Sequence, residues 1–237
     1  MRLVFRRARE AKGLILAGVG ATLVTTVLLT GLAAYSRGVV AAGAAGAVAA
    51  APPDERSVLL EGPAGAPAKL AQRDAAVRAR VAAGFAGLDA HVWAGGTAAG
   101  RQLGPDTGAA VPDAQGAVLA SVVFLDGLAE HADLLSGDWP AAGGTPVRTA
   151  LAESVAAILG VTVGDRVPIT NRFTRTASDV VVSGIWRPRD LGSPYWRLAP
   201  AVATGVAAQS SVYGPFVVAR PDFLAHFATT RLDQLTD

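Results

Sequence analysis

The sequence contains no cysteine and one methionine, and only 6% of its 237 residues are aromatic. Without cysteine, the chain forms neither a disulfide framework nor a thiolate metal site. It also lacks a G-x-x-x-x-G-K-[ST] phosphate-binding loop, which excludes a P-loop nucleotide hydrolase. Since no G-x-S-x-G elbow, S-x-x-K pair or H-E-x-x-H helix is present, no nucleophile can be paired with a base. We therefore predict a protein that is not an enzyme, with no catalytic, cofactor-binding or metal-binding residues.

Two groups of polar residues come nearest to a chemical site. Three carboxylates would share one face of a helix over residues 125–135, but a catalytic pair needs a partner across a cleft, so a solvated face is the better interpretation. Three histidines stand far apart, and scattered histidines are far commoner than metal ligands. The carboxylates are Asp126, Glu130 and Asp133, and the histidines are His91, His131 and His226.

Basic residues are concentrated at the N-terminus. Residues 1–12 hold five of the 21 lysines and arginines, but only one of the 19 acidic residues. The formal net charge of +2 therefore comes from this cluster, and the remaining chain is slightly acidic. Such a cluster beside an apolar run signals membrane topology and not a polyanion-binding surface. We expect no nucleic-acid partner.

One long uncharged run follows the basic cluster. Residues 13–36 contain no charged side chain, and about 20 apolar residues suffice to span a bilayer as a helix. Tyr35 and Arg37 close the run, as an interfacial aromatic residue and a snorkelling cation do. We predict a transmembrane helix in the lipid bilayer of the cell membrane, with residues 1–12 cytoplasmic and the remainder extracytoplasmic. The alternative is a cleavable signal peptide, whose apolar region is usually shorter.

Residues 37–56 form an Ala/Gly-rich segment after the predicted span. One interpretation is a helical stalk that continues the span out of the bilayer. The other is a flexible linker, because each glycine inside a helix costs about 1 kcal/mol. Pro52 and Pro53 end the segment in either case.

Residues 57–237 have the pattern of a mixed α/β domain. Strands and helices are interspersed without strict alternation, so we predict the α+β class and not a doubly wound sheet. Gly160 stands where a left-handed helix C-cap belongs, and residues 95–114 are rich in Gly, Pro and Thr, as in a loop or irregular hairpin. The predicted helices cover residues 68–88, 125–135, 149–159 and 221–228, and the predicted strands cover residues 57–60, 115–124, 166–170, 179–186 and 215–219.

The predicted helix over residues 68–88 is amphipathic. Its apolar residues recur at near-helical spacing, so we expect them to face the core. Three arginines lie off this stripe, and we expect them at the surface. The apolar residues are Leu70, Val77, Val81, Phe85 and Leu88, and the arginines are Arg73, Arg78 and Arg80.

The most distinctive stretch is WRPRD at residues 186–190, followed by PYW at residues 194–196. Aromatic faces and guanidinium groups this close together could form a platform for a carbohydrate or a peptide. The simpler interpretation is a strand end whose aromatic residues pack on the core, with Arg189 and Asp190 fixing the next loop. We favour the simpler interpretation.

Three features together resemble the first part of an FtsX-like permease. The first is the order of a basic start, an apolar span, an Ala-rich extension and two prolines. The second is TALAESVAAILGVTVGDRV at residues 149–167, which is similar to the family's helix ending in LG, its VGD motif and the strand that follows. The third is VVVSGIWRPRDLGSPYW at residues 180–196, close to the form common in actinobacterial members.

The resemblance implies an ABC transporter permease subunit whose extracytoplasmic region resembles the MacB periplasmic core domain. In that family this domain lies between the first two membrane helices, and the permease forms a dimer with a separate cytoplasmic ATPase. The resemblance implies that this chain is a non-enzymatic mechanical or binding element of such a system. We expect a homo- or heterodimer that couples the ATPase to substrate handling or export.

The chain departs from the family in one respect, since such permeases carry at least four membrane helices and only one is predicted here. We therefore expect an incomplete core domain in the N-terminal part of a longer permease. The alternative is a stand-alone membrane-anchored extracytoplasmic domain with a binding or regulatory role. The matching motifs are structural, so no functional residue is carried over from the family.

Overall fold

A computed structural model of the protein describes residues 12–52, 55, 57–62, 67–86, 90–105, 108–207 and 211–228. The chain divides into two compact units, Met1–Arg56 and Ser57–Asp237. The predicted basic N-terminus lies outside the described residues except for Lys12, and so do Pro53 and Leu88.

The first unit consists, where it is described, of one helix, α1 (Lys12–Ala50), and the few residues after it. The predicted span 13–36 lies within α1, and the Ala/Gly-rich residues up to Ala50 continue the same helix. Threonine hydroxyls along α1 donate to backbone carbonyls one turn earlier, for example from Thr25 to Ala21 at 2.8 Å and from Thr26 to Thr22 at 2.7 Å. The helix therefore satisfies its own hydroxyl groups, as a helix in lipid must.

The second unit is a mixed α/β domain built on a single sheet in its described part. Four α-helices and two 3₁₀ turns accompany eight strands among these residues. The helices are α2 (Pro67–Gly84), α3 (Leu128–His131), α4 (Glu153–Leu159) and α5 (Arg220–His226), and the 3₁₀ turns are Pro194–Leu198 and Pro200–Ala203. The strands are β1 (Gly95–Leu103), β2 (Leu119–Leu125), β3 (Ala132–Gly137), β4 (Val147–Ala152), β5 (Arg166–Val167), β6 (Ile169–Asn171), β7 (Val180–Pro188) and β8 (Val212–Val218).

The strands run in the order β3-β7-β4-β8-β2-β1-β6, and β5 pairs with β7 beside β3. The pairs β2–β8 and β4–β7 are parallel, whereas the other pairs are antiparallel. A mixed sheet with irregularly interspersed helices belongs to the α+β class, as predicted.

Strands β5 and β6 close the sheet into a ring. They are separated only by Pro168, yet β6 pairs with β1 while β5 pairs with β7. The succession β7-β4-β8-β2-β1 is thus connected at both ends by the short segment 166–171. Among the described strands, β3 alone stands outside the ring, paired with β7. Ring closure satisfies backbone groups that an open sheet would leave at its edges.

The largest buried side chains of the core come from the C-terminal third of the domain's sequence. Trp186 on β7, Tyr195 in the first 3₁₀ turn, Phe216 on β8 and Phe227 after α5 are almost completely buried. Burying one such side chain contributes about 1.5–3 kcal/mol. Helix α4 packs on β4, β7 and β8, and α5 packs on β2, so the helices cover the strands that lie at the middle of the order.

Several predicted elements are confirmed. The predicted strand 179–186 is β7, whose alternate residues Val180, Val182, Gly184 and Trp186 are buried. Gly160 ends α4 in the left-handed conformation, with φ 66°, and donates its N–H to the Ala156 carbonyl. Predicted strands 115–124 and 215–219 correspond to β2 and β8, and predicted strand 166–170 to β5 and β6. The predicted helix 221–228 is α5.

Two predicted helices are partly wrong. The first half of predicted helix 149–159 is strand β4, and only Glu153–Leu159 is helical. β4 is buried on both faces, so its residues form a continuous apolar run without the alternation that marks a half-exposed strand. Predicted helix 125–135 shrinks to the single turn Leu128–His131, because Ala132–Gly137 pairs with β7 as β3.

Two predictions on the first third of the domain are wrong. Residues 57–60 form no strand, and Val58 and Leu60 are exposed. Residues 95–114 were expected as a loop or irregular hairpin, but they begin with β1, which pairs with β2. Glycine made this segment look like a loop in the sequence. In the structure Gly96 allows close strand packing, since a Cβ there would collide with the Phe124 ring.

Helix α2 turns a different face inward than its apolar residues predict. Its half-buried positions include Asp74, Arg78 and Val81, spaced by about one turn. Val77 and Phe85 remain 38% and 44% exposed. The prediction placed these two residues inside, which is wrong. Arg78 was predicted off the apolar stripe, and it lies on the half-buried face with 41% of its side chain exposed.

Candidate functional site

Helix α1 is one candidate functional element. Its stretch Leu16–Val48 has 33 residues and is long and apolar enough to cross a membrane. At about 1.5 Å per residue the stretch measures about 50 Å, against about 30 Å of hydrocarbon in a bilayer. Arg37 is its one charged residue, and none of its aliphatic side chains is buried within the protein. An apolar surrounding such as lipid would remove this surface from water.

The two sequence stretches on which the predicted likeness to FtsX-like permeases depends, residues 149–167 and 180–196, lie against each other in the domain. The Asp165 carboxylate accepts hydrogen bonds from the Thr162 backbone N–H at 2.7 Å and from the Thr162 hydroxyl at 3.0 Å. These two hydrogen bonds lower the pKa of the Asp165 carboxyl, and the bond from the backbone N–H has the larger effect. Next to this turn, the Gly164 N–H donates to the Val182 carbonyl on β7 at 2.8 Å. The VGD motif thus joins a turn to a strand and has a structural role.

The aromatic stretch after β7 is packed inside the domain. The rings of Trp186 and Trp196 stack with centroids 5.6 Å apart. The Tyr195 hydroxyl donates to the Asp126 carbonyl at 3.1 Å, and the Trp196 indole N–H donates to the Asp190 carbonyl at 2.8 Å. Burial raises the pKa of Tyr195, and the nearby carboxylates add to that rise. These aromatic faces are covered by protein and offer no open platform.

The second arginine of RPRD, Arg189, holds two strand ends together. Arg189 forms an ion pair with Asp133 on β3, with the Nε and Oδ1 atoms 2.7 Å apart, and donates to the Glu130 carbonyl at 2.8 Å. Asp190 accepts a hydrogen bond from the Gly192 N–H at 2.8 Å and so shapes the next loop. Both residues have the positioning role that the simpler interpretation gave them.

Two of the three histidines contact the same ring, that of Trp93, and the third lies elsewhere. His131 stacks on Tyr195 with centroids 3.9 Å apart and meets Trp93 edge-on at 5.3 Å. Burial lowers the pKa of His131, an effect that Glu130 opposes and Arg189 supports. His91 stacks on Trp93, while His226 contacts the Phe227 ring. Among the described residues, no three His, Asp or Glu side chains are grouped to hold a metal ion.

A shallow groove lies where the parallel strands β2 and β8 end. Its volume is about 240 Å³, and its lining includes Asp126, Glu130, Trp139 and Arg220. The carboxyl ends of neighbouring parallel strands are a common position for ligands, because the chain diverges there and leaves a crevice. This volume is slightly below the usual range for small-molecule sites, which begins at about 300 Å³.

Four charged residues meet beside this groove, and we call them the charge cluster: Asp74 and Arg78 of α2, Asp126 after β2, and Arg220 at the start of α5. Arg220 pairs with Asp126 at 2.9 Å and with Asp74 at 3.3 Å. Arg78 pairs with Asp74 at 3.1 Å and lies 3.9 Å from Asp126. Each of the two arginines therefore lies within ion-pair distance of both aspartates. The predicted helical face of three acids does not exist, since Asp126 belongs to this cluster and Asp133 pairs with Arg189.

The groove and the charge cluster were not found from the sequence. The residues of the cluster come from three separate segments of the sequence, and no local motif contains them. Asp126 follows β2 directly and Arg220 follows β8 after one residue, which is a usable signal. That signal becomes a site only once β2 and β8 are known to be parallel neighbours, and they are separated by more than 80 residues.

No family model, no curated protein and no solved structure matches this chain. The likeness to FtsX-like permeases therefore rests on residues 149–167 and 180–196 and on the order of the elements. The functional interpretation rests on the chain's own residues: one helix able to cross a membrane, an α+β domain, a groove and a charge cluster.

Proposed function

We propose that this chain is the N-terminal part of an ABC transporter permease subunit of the FtsX/MacB-like kind. The subunit couples a separate cytoplasmic ATPase to the handling or export of a substrate outside the membrane. The observation that carries the proposal is the order of the two units, an apolar helix of membrane-spanning length followed by an α+β domain. The motif stretches that resemble the family lie in that domain.

The anchor in this proposal is α1, with its N-terminus in the cytoplasm and the domain on the outer side of the cell membrane. The basic residues before α1 support this orientation, because positive charges are retained on the cytoplasmic side. The helix continues to Ala50, which gives a stalk beyond the hydrocarbon region. A mechanical role suits such a stalk, since an unbroken helix transmits displacement.

The domain acts in this proposal as a binding or force-receiving element in a permease homo- or heterodimer. Its distinctive motifs are used for packing and for turns, as the contacts of Trp186, Asp165 and Arg189 illustrate. The substrate class is a lipid, a lipoprotein, a peptide or a drug-like molecule.

Orientation can be tested with single cysteines, because the chain has none of its own. Ser136→Cys, at an exposed position of β3, should react with a membrane-impermeant maleimide in intact cells. Arg9→Cys should react only after the membrane is permeabilised. The reverse pattern would refute the orientation, and labelling of a chain that has lost residues 1–36 would indicate a cleaved signal peptide.

The coupling to an ATPase needs a second test. The coding sequence beyond Asp237 should contain further apolar spans of about 20 residues. The full-length product should co-purify with a separate ABC ATPase. A stop codon at this point together with no associated ATPase would replace the permease by the alternative, a membrane-anchored extracytoplasmic domain with a binding or regulatory role.

A further inference from the structure

Helix α2 is attached to the domain in an unusual way. A surface helix of a globular protein normally buries an apolar stripe and exposes its charges. In α2 the half-buried stripe has Asp74 and Arg78 at its centre, and Leu70 and Val81 at its ends. Its hydrophobic attachment is therefore limited to the two ends, and the middle is held by charges.

The charge cluster supplies that middle attachment. Arg220 bridges from the domain to Asp74 on α2, and its guanidinium also lies over the Phe124 ring, 5.1 Å from the centroid. Arg78 donates in addition to the Val92 carbonyl at 3.0 Å. The side chains of the cluster are between 23% and 41% exposed, so water and salt reach them. Ion pairs at this exposure are weak singly and are screened by salt.

The C-terminal half of α2 is incompletely packed. An open cleft of about 250 Å³ lies between this half and residues 90–92, and Val81, Phe85 and Val92 line it. Because the cleft is open to solvent, Phe85 remains 44% exposed and gains few dispersion contacts with the domain. The helix therefore has little hydrophobic contact to lose when it moves away from the strand ends.

We propose that α2 is a movable helix, which the charge cluster fastens reversibly to the carboxyl ends of β2 and β8. Elements with few buried apolar contacts open at low free energy and independently of the core. Asp126 and Arg220 also line the groove, so the groove changes its charge pattern when α2 leaves. We call α2 the strap. Its position determines whether Asp126 and Arg220 in the groove are paired with the charges of α2. This inference does not depend on the permease proposal.

The strap can be detected by amide hydrogen exchange on the full chain in detergent micelles. Raising salt from about 0.1 M to about 1 M shortens the Debye length from about 10 Å to about 3 Å. Exchange of the α2 amides should become several-fold faster, while the amides of β2 and β8 keep their rates. Unchanged α2 exchange, or an equal acceleration throughout the domain, would overturn the proposal.

Substitutions identify the charges that hold the strap. Arg220→Gln removes the bridging cation, and the α2 amides should exchange on the order of fivefold faster at low salt, with little further response to salt. Arg189→Gln is the matched control, because it removes the ion pair to Asp133 away from α2. It should leave α2 exchange and its salt response as in the unmodified chain.

Asp74→Asn covers the possibility that Arg220→Gln fails to fold. Asp74 lies on α2 itself, and Asn has a helix propensity similar to that of Asp, so neither the core nor the helix should suffer. The expected result is faster exchange confined to residues 67–84. If Asp74→Asn exchanges like the unmodified chain at both salt concentrations, the charges do not fasten α2 and the proposal fails.

Discussion

The two units of the chain place the same aliphatic residues in opposite surroundings. Leu28 in α1 is 65% exposed, whereas Leu151 in β4 is fully buried. The domain removes its own apolar surface from water, since strands and helices cover one another. The described part of α1 does not, and its stability as a soluble element would be poor. This helix is long and apolar enough to cross a membrane, while the domain buries its apolar residues in its own core.

Hydroxyl groups show the same contrast. In α1 the hydroxyl of Thr30 donates to the Thr26 carbonyl at 2.7 Å, one turn away along the same helix. In the domain the buried hydroxyl of Thr149 donates to the Val217 carbonyl on the neighbouring strand at 3.0 Å. The helix is thus self-sufficient in hydrogen bonds, as lipid demands, and the domain depends on contacts between distant residues. Matched substitutions in the two units can test this comparison.

The largest difference is expected for leucine truncation. Leu151→Ala leaves a cavity in the core and should destabilise the domain by about 2–5 kcal/mol. Leu28→Ala should change the unfolding of the domain by less than about 0.5 kcal/mol, because it creates no cavity there. Urea unfolding of the full chain in micelles, followed by tryptophan fluorescence, measures both, since all four tryptophans lie beyond residue 90. Equal destabilisation by the two substitutions would mean that the units are not independent.

A charge in the apolar helix tests the other side of the comparison. Leu28→Arg should raise the free energy of membrane insertion by about 3 kcal/mol, since an arginine at the centre of a span is poorly solvated. Val48→Arg, at the end of the apolar stretch, should cost much less because its cation can reach the headgroups. Glycosylation mapping of the inserted fraction compares the two variants. If they insert equally well, residues around Leu28 are not at the centre of a bilayer.

The same contrast explains how much could be read from the sequence. The uncharged run 13–36 and the alternation over 179–186 are local patterns, and the structure has a helix and a strand there. The strand β4 was missed because burial on both faces removes alternation. The strand β1 was missed because its glycines serve contacts with Phe124, which lies on another strand.

The candidate site depends still more on distant partners. Arg78 was predicted to lie off the apolar stripe of its helix, but that pattern gives no sign of its neighbour Asp126, which lies 48 positions later. The pattern of a helix shows which of its residues are polar. It does not show that another element of the domain places charged residues against them, as Asp126 and Arg220 do. The sequence therefore predicted an α+β domain and left out the groove and the charge cluster.

Glycine substitution should have opposite consequences in the two units. Gly160 caps α4 with φ 66°, a conformation that costs an L-residue roughly 1 kcal/mol, so Gly160→Ala should destabilise the domain by about that amount. Gly31 lies within α1 with open space around its Cα. Gly31→Ala should leave domain unfolding unchanged and should not reduce helix content in circular dichroism. A destabilised Gly31→Ala variant would indicate a close contact at that position.

The smallest effect is a pH dependence that belongs to the domain alone. Burial holds the pKa of His131 below its ordinary value of 6.5, so the unfolded chain binds more protons in the window just below that pH. The contribution of His131 to the free energy of unfolding is therefore fully present above its pKa in the unfolded chain. It is lost as pH is lowered through its pKa in the folded domain. His131→Phe keeps an aromatic ring against Tyr195 and removes the titration, so its urea midpoint should fall less between about pH 7 and pH 5. Midpoints that fall in parallel for both proteins would assign the loss to other groups, and would leave His131 as a packing residue.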